Sequence, residues 1–420
     1  HIDKPPISNP IELLDSTQLG SIFISFVRKT KLFIGLTMSC LYCSNGLDMG
    51  GLSICLLAFV QPKNNSSIIK FNNVTPKTNR PIIFLFNKRP PPLSTYRKVS
   101  NMTNNFSLGY ACINTELASQ KPKITTNRSM IKRTFQAKGI EYASELACLN
   151  VRDLMPILVW NHRHNIKVFR MSSCLFPWAS EYDLTSLPDY EEICMHLKEA
   201  GDYAKANGIR LSFHPGPFNI LASPKEGVVH NSVVDLTMHG EIMDLMGMPR
   251  STYAKINIHV GGAYGDRKSS LERFCNNFSL LPESVQSRLT VENDDRANLY
   301  STLDLYEGVY KQIGIPIVFD YHHHNFCGGG QNEREALETA IDSWGEIIPT
   351  CHYSESACLT EGKNKVLNAH SDYIYSKINN YGHRLDIVVE AKAKEKAILK
   401  YRKDWGVEFD TEECKGTFAA

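Results

Sequence analysis

Long apolar runs are missing from this 420-residue chain. A membrane helix needs about 18 consecutive apolar residues, and the nearest stretch, Gly50–Val60, is shorter and follows Asp48. That counts against a polytopic membrane protein. An excess of charge is missing too. The 46 Lys and Arg against 44 Asp and Glu leave +2, so composition alone does not announce a nucleic-acid binder. Cys40-Leu-Tyr-Cys43 has no second pair at zinc spacing. No secretory cleavage pattern opens the chain. The twelve cysteines are scattered, and Cys112 and Cys351 sit inside apolar runs. Free thiols in an intracellular protein are therefore expected rather than a disulfide framework.

What is present is ordinary in bulk, with 42% hydrophobic and 21% charged residues, which excludes wholesale disorder. The charge is uneven. Residues 1–105 hold 12 Lys and Arg against 4 Asp and Glu, and the remainder holds 34 against 40. An acidic body still binds DNA where a groove is locally basic or metal ions offset its carboxylates. Residues 1–105 mix short apolar runs with Asn, Ser and Pro clusters and keep no period. They are read as a poorly structured extension, faintly like a transit peptide, with Met102 as an alternative start. Residues 406–420 are read as a tail.

Between them, over residues 106–405, short β-rich runs alternate with helix-period stretches. The runs are Leu108–Ile113, Lys167–Met171, Arg210–His214, Lys255–His259, Arg288–Glu292, Pro316–Asp320, Ile347–His352 and Asp386–Glu390. The clearest helices are Tyr190–Asn207, Asn231–Met246, Leu299–Ile313 and Glu333–Trp344. Eight such repeats predict an α/β fold of the (β/α)8 TIM-barrel type. An open doubly wound sheet is the alternative, but Gly109-Tyr-Ala-Cys-Ile-Asn114 is no glycine-rich phosphate loop.

The strand ends carry the chemistry. Six successive runs end in His214, His259, Glu292, Asp320, His352 and Glu390, spaced 28 to 45 residues apart, one βα repeat each. In a barrel all six converge at the C-terminal mouth. Imidazoles with carboxylates suit a divalent ion such as Mn²⁺ or Zn²⁺, and six donors exceed what one ion needs. Two or three ions bridged by a carboxylate are expected, a device that cuts phosphodiesters. In His322-His323-His324 not all three rings can ligate, so at least one supports.

The chain from about Leu108 to Ala397 resembles the UV damage endonuclease family (UVDE, UvsE). The resemblance rests on Gly109–Asn114, Trp160-Asn161, Phe169–Ser173 with Phe176-Pro177, His214-Pro-Gly216 with Ser223-Pro224 and His259-Val-Gly-Gly262. It continues through Val291–Asp294, Phe319–His323, His352-Tyr-Ser354 and Glu390-Ala-Lys392. The resemblance implies a barrel like that of endonuclease IV and a three-metal cluster, usually of Mn²⁺. It implies incision immediately 5′ of cyclobutane pyrimidine dimers and 6-4 photoproducts, leaving a 3′-hydroxyl and a 5′-phosphate. Carried onto this sequence, His214, His259 and Glu292 hold the first metal. Glu292, Asp320, His352 and Glu390 hold the second, and His323 with His370 reaches the third. Glu292, Asp320 and Glu390 are the catalytic carboxylates, and His322 and His324 are support or surface residues.

The resemblance also implies lesion probing by Tyr110 and Asn114 and by a Gln-Tyr pair, which stands here as Pro217-Phe218. Phe218 keeps the aromatic wedge, and Pro217 loses the amide, so a shift in lesion preference is expected. Flipping a damaged dinucleotide costs little because its stacking is already impaired. Thr350 replaces a lysine reported as carboxylated, so that modification is expected to be absent. Glu181 replaces a histidine bordering the cluster. Arg170, Lys392 and Lys394 are candidates for phosphate contacts, which would make binding salt-dependent. The expected partner is UV-damaged duplex DNA, met by a monomer inside the cell. The competing readings are an abasic-site endonuclease, a metal-dependent sugar isomerase and a non-catalytic binder of distorted DNA. A projecting Phe218 favours DNA over a closed sugar pocket.

Overall fold

The computed structural model describes residues 106–363 and 366–406, with the backbone of residues 34–35 and 57–58. Ile34–Gly35 pairs antiparallel with Leu57–Ala58. The rest of the extension expected over residues 1–105, with Cys40, Cys43 and Met102, lies outside the described residues, as does the tail after residue 406.

Eight strands form the barrel: β1 (Phe106–Ala111), β2 (Val168–Arg170), β3 (Arg210–Ser212), β4 (Ile256–Ile258), β5 (Leu289–Glu292), β6 (Ile317–Asp320), β7 (Thr350–Tyr353) and β8 (Leu385–Val389). Their order is β3-β2-β1-β8-β7-β6-β5-β4, with parallel pairing throughout. A parallel bridge between Phe213 and Ile256 joins β3 to β4 and closes the ring. The (β/α)8 barrel expected from the repeats is what forms. The helices around it include α1 (Lys132–Arg152), α2 (Leu154–Arg163), α3 (Tyr190–Ala206), α4 (Glu226–Leu245), α5 (Arg267–Phe278), α6 (Glu333–Asp342) and α7 (Glu395–Trp405). The helix expected over Leu299–Ile313 is broken instead. The capping box of Ser301 with Asp304 delays its start to Thr302–Leu305, and a π-helical turn over Tyr306–Tyr310 separates that from Lys311–Ile313.

Strand parity places the site. Leu289, Val291, Ile317 and Phe319 belong to the apolar layer under the helices, whereas Thr290, Glu292 and Asp320 are buried polar residues facing inward. The barrel interior is mostly polar. At its floor Arg210 pairs with Asp386 at 2.9 Å and donates to the carbonyls of Thr252, Tyr253 and Ile348. A small apolar plug of Ala111, Val168 and Val388 interrupts it. Beside that plug, β1 and β2 approach closely. A Cβ on Gly109 would stand 2.1 Å from the Val168 carbonyl oxygen, and backbone cannot swing aside as a side chain can. Gly109→Ala is therefore expected to cost about 3 kcal/mol or more, at the upper end for overpacked cores. A urea midpoint unchanged from the parent chain would refute this.

Candidate metal centre

Glu292 ends β5 and is 1% exposed. Four imidazoles surround its carboxylate. Oε2 lies 3.2 Å from His214 Nε2 and 3.0 Å from His352 Nδ1. Oε1 lies 3.3 Å from His323 Nδ1 and 3.9 Å from His259 Nε2. Asn257, two residues before His259 on the same face of β4, donates its amide to Glu292 Oε2. Thr290 donates to Asn257 Oδ1 at 2.8 Å and so fixes which way that amide points.

Most of these imidazoles are anchored through one nitrogen and present the other. His214 Nδ1 donates to the Pro215 carbonyl at 3.3 Å, and His259 Nδ1 lies 3.3 Å from Asp294 Oδ1. His352 Nε2 meets Lys255 Nζ at 3.4 Å, deep in the barrel. His323 Nδ1 donates to the Asn293 carbonyl at 2.9 Å, which leaves Nε2 as the nitrogen open to a ligand. Partners of this kind set tautomer and ring orientation in metal sites. Asp320 ends β6, and its Oδ1 accepts from the His323 backbone N–H at 2.8 Å. Asn293 clamps the Asp320 backbone by accepting from its N–H and donating to its carbonyl. Glu390 follows β8 and faces His352 Nδ1 at 3.4 Å and His370 Nδ1 at 3.6 Å.

Three liganding groups result, each with donor atoms within 4.8 Å of one another. They are His214, His259 and Glu292; Glu292, Asp320 and His323; and Asp320, His352 and Glu390. Glu292 and Asp320 are each shared by two groups. His323 thus joins Glu292 and Asp320, not His370 as expected. His370 instead faces Glu390, with its ring 5.4 Å from that of His322. His322 and His324 stand outside all three groups, but they are buried supports rather than surface residues. His322 packs edge-on against Phe326, and His324 lies against Phe319.

The residues fit a divalent ion. Glu292 Oε1 and Asp320 Oδ2 are buried and have no hydrogen-bond partner, a costly state for polar atoms unless a cation takes them up. Protonation in the metal-free chain is polarised. Burial would depress His259, but Glu292, Asp294 and Asp320 outweigh it and lift the imidazole to about 10. His323 likewise rises to about 9 against burial, through Asp320 and Glu292. Burial wins at His352, which falls to about 4 despite Glu292. Burial lifts Asp320 to about 6, helped by Glu292 and Glu390. Glu292 itself stays well below the carboxylate range, because His352, His259 and His214 overcome its burial. A cation bound here would displace protons from His259 and His323.

Several expected DNA contacts fall elsewhere. Tyr110 and Asn114 are fully buried. On β1 it is Gly109 and Ala111 that face the barrel axis, so Tyr110 points outward under the helices. Its hydroxyl donates to Asn161 Oδ1 at 2.6 Å and accepts from Asn114 Nδ2 at 3.0 Å. Asn114 also caps Thr115–Ala118. As placed, the pair is buried and hydrogen-bonded within the fold. Arg170 is no free phosphate ligand either, because its guanidinium pairs with Glu390. Lys392 is exposed, and Lys394 is partly buried. Glu181 is exposed in the 3-10 turn Ala179–Glu181 and belongs to none of the three groups. Thr350 is buried on the inner face of β7, and its hydroxyl has no partner. The amine beside His352 comes from Lys255 instead.

Phe218 projects from the mouth, 64% exposed. Its ring folds back over Gly216, where a Cβ would stand 2.4 Å from Phe218 Cε1. Pro217 lines a cavity of about 620 Å³ together with His259, His323, Tyr264 and Arg296. Tyr264 is 48% exposed, a second aromatic at the mouth that no sequence pattern had singled out. Asn257 and Lys255 were missed as well. Their signal was parity, since both share the face of His259.

The family model described as UV-endonuclease UvdE matches residues 106–414. The UV-damage endonuclease of Schizosaccharomyces pombe is 35% identical over 302 residues, covering 70% of this chain and 49% of that one. The UV DNA damage endonuclease of Bacillus pumilus is 31% identical over 313 residues, covering 70% and 92%. The chain thus spans about half the length of the fungal relative. The crystal structure of SacUVDE aligns with a TM-score of 0.62 at 29% identity, covering 72% of this chain and 98% of that one.

Proposed function

Because the chain belongs to the UV-endonuclease UvdE family, we propose that it is a DNA repair endonuclease for ultraviolet damage. It incises duplex DNA immediately 5′ of cyclobutane pyrimidine dimers and 6-4 photoproducts, leaving a 3′-hydroxyl and a 5′-phosphate. The observation that carries this reading is the convergence of three liganding groups on Glu292 and Asp320 at one barrel mouth, beneath a projecting aromatic.

His214, His259, Glu292, Asp320, His323, His352 and Glu390 would hold two or three divalent ions, Mn²⁺ first and Zn²⁺ second, with His370 beside them. Such ions supply an activated water and stabilise the attacking and leaving oxygens of an in-line displacement. The chain's own part is preorganisation. Asn257 and Thr290 hold Glu292, Asn293 holds Asp320 and His323, and Arg170 steadies Glu390. Phe218 enters the stack where the damaged dinucleotide leaves it, and exposed Lys392 contacts phosphate. The enzyme acts as a monomer inside the cell, with the DNA. No helix among the described residues is long and apolar enough to cross a membrane.

The test is strand incision by the full chain with Mn²⁺ on end-labelled duplexes carrying one cyclobutane dimer, one abasic site or no lesion. Cutting 5′ of the dimer, lost on chelation and restored by Mn²⁺, is expected. Cutting only at the abasic site would replace the photoproduct reading with the abasic-site one, and no cutting with metal bound would end the nuclease reading. In the same assay Phe218→Ala should lower kcat/KM on the dimer roughly 10–100-fold, since one aromatic–base stack is worth about 1–3 kcal/mol. An unchanged value would remove Phe218 from recognition.

A further inference from the structure

A fourth group of metal-ligating side chains forms away from the mouth, on two helices that pack against each other outside the barrel. Cys148 lies on α1, and Glu192 and His196 lie on α3. The thiol, a carboxylate oxygen and a ring nitrogen lie within 4.8 Å of one another. Glu192 and His196 are four residues apart on one helical face, with His196 Nε2 3.5 Å from Glu192 Oε1. The other ring nitrogen, Nδ1, lies 3.4 Å from Glu199 Oε2. The His196 side chain is 18% exposed, and that of Glu192 is 55% exposed.

We propose that Cys148, Glu192 and His196 bind one Zn²⁺, with water in the fourth position, and that the ion ties α1 to α3. A Glu–His pair four residues apart is by itself only a helix-surface contact. Two further features distinguish this one. A sulfur donor arrives from a different helix, and the second imidazole nitrogen already faces a carboxylate, the outer partner that zinc-bound histidines usually have. Sulfur, nitrogen and oxygen donors together select zinc among the common divalent ions. Donor atoms of a tetrahedral zinc site stand about 3.3–3.8 Å apart, a contraction that the half-exposed Glu192 side chain can make. Binding forms a Zn–S bond and releases the thiol proton to solvent. The donors at the mouth are all nitrogen and oxygen, so the two sites favour different ions and can be read separately.

Co²⁺ is the probe. Added to the chelator-treated full chain, it should give a thiolate-to-cobalt charge-transfer band in the near ultraviolet whose final amplitude corresponds to one cobalt thiolate per chain. The mouth donors cannot produce that band. Cys148→Ser should abolish it, His196→Ala should weaken Co²⁺ binding by about tenfold or more, and Glu292→Gln should leave it intact. Zn²⁺ should also slow alkylation of Cys148 by iodoacetamide, read on its own peptide by mass spectrometry. No band in the parent chain at saturating Co²⁺, or a band that survives Cys148→Ser, would overturn the proposal. Should Cys148→Ser fail to fold, alkylation of the parent decides, and a rate unchanged by Zn²⁺ overturns it.

Discussion

Glu292→Gln is expected to abolish incision at every lesion while the chain still folds. The carboxylate lies in two of the three liganding groups and faces four imidazoles. A glutamine of the same shape keeps the contact with Asn257 but carries no charge. At about 4 Å and an effective dielectric of about 20, one unit charge against another is worth about 4 kcal/mol. That converts to about a thousandfold in rate for each cation that loses its bridge. The check is single-turnover cutting of a dimer duplex, with bound metal counted in parallel. Loss of cutting together with loss of bound metal is the expected pair. Full activity in the variant would mean that Glu292 is not the bridge.

Arg170→Met should cost more stability than any surface change. The Arg170 and Glu390 side chains are 14% and 11% exposed, and they pair directly. Burial would pull the guanidinium's proton affinity down, but Glu390 raises it above the usual arginine range. Removing one partner of a buried pair costs about 3–5 kcal/mol, because the other charge is stranded. That corresponds to a fall of roughly 6–20 °C in melting temperature. The loss should be largest in chelator and smaller with Mn²⁺, since a cation at Glu390 takes over the neutralisation. A phosphate-binding arginine would behave differently. Its removal would flatten the salt dependence of DNA binding and leave the melt unchanged. Scanning calorimetry with and without Mn²⁺, alongside a salt titration of DNA binding, separates the two roles.

Much of the candidate site is legible in the sequence. His214, His259, Glu292, Asp320 and Glu390 follow or end short β-rich runs at one-repeat spacing, and a barrel brings strand ends of one polarity together whatever its details. His352 is the partial exception. It lies inside Thr350–Tyr353, not at its end, yet its inward parity still delivers it to the cluster. Parity is also where the sequence ran out. A strand of a (β/α)8 barrel is buried on both faces, so alternation of polar and apolar residues, the usual sign of which side faces in, is faint. Nothing in Gly109-Tyr110-Ala111 announces that the tyrosine faces the helices and the small residues face the axis.

By itself, then, the sequence determined the repeat, the barrel and the candidate donors at the strand ends, because these depend on local period and on residue type at strand ends. Only the tertiary structure decided which donors stand within reach of one another, because that depends on distances across the barrel between residues far apart in the chain. It moved His323 to Glu292 and Asp320. It turned Arg170 from a surface cation into the partner of Glu390. It also brought Lys255 against His352, from a strand three places away around the ring. Cys148 and His196 met for the same reason. Their helices are separated in sequence, and packing alone sets them side by side.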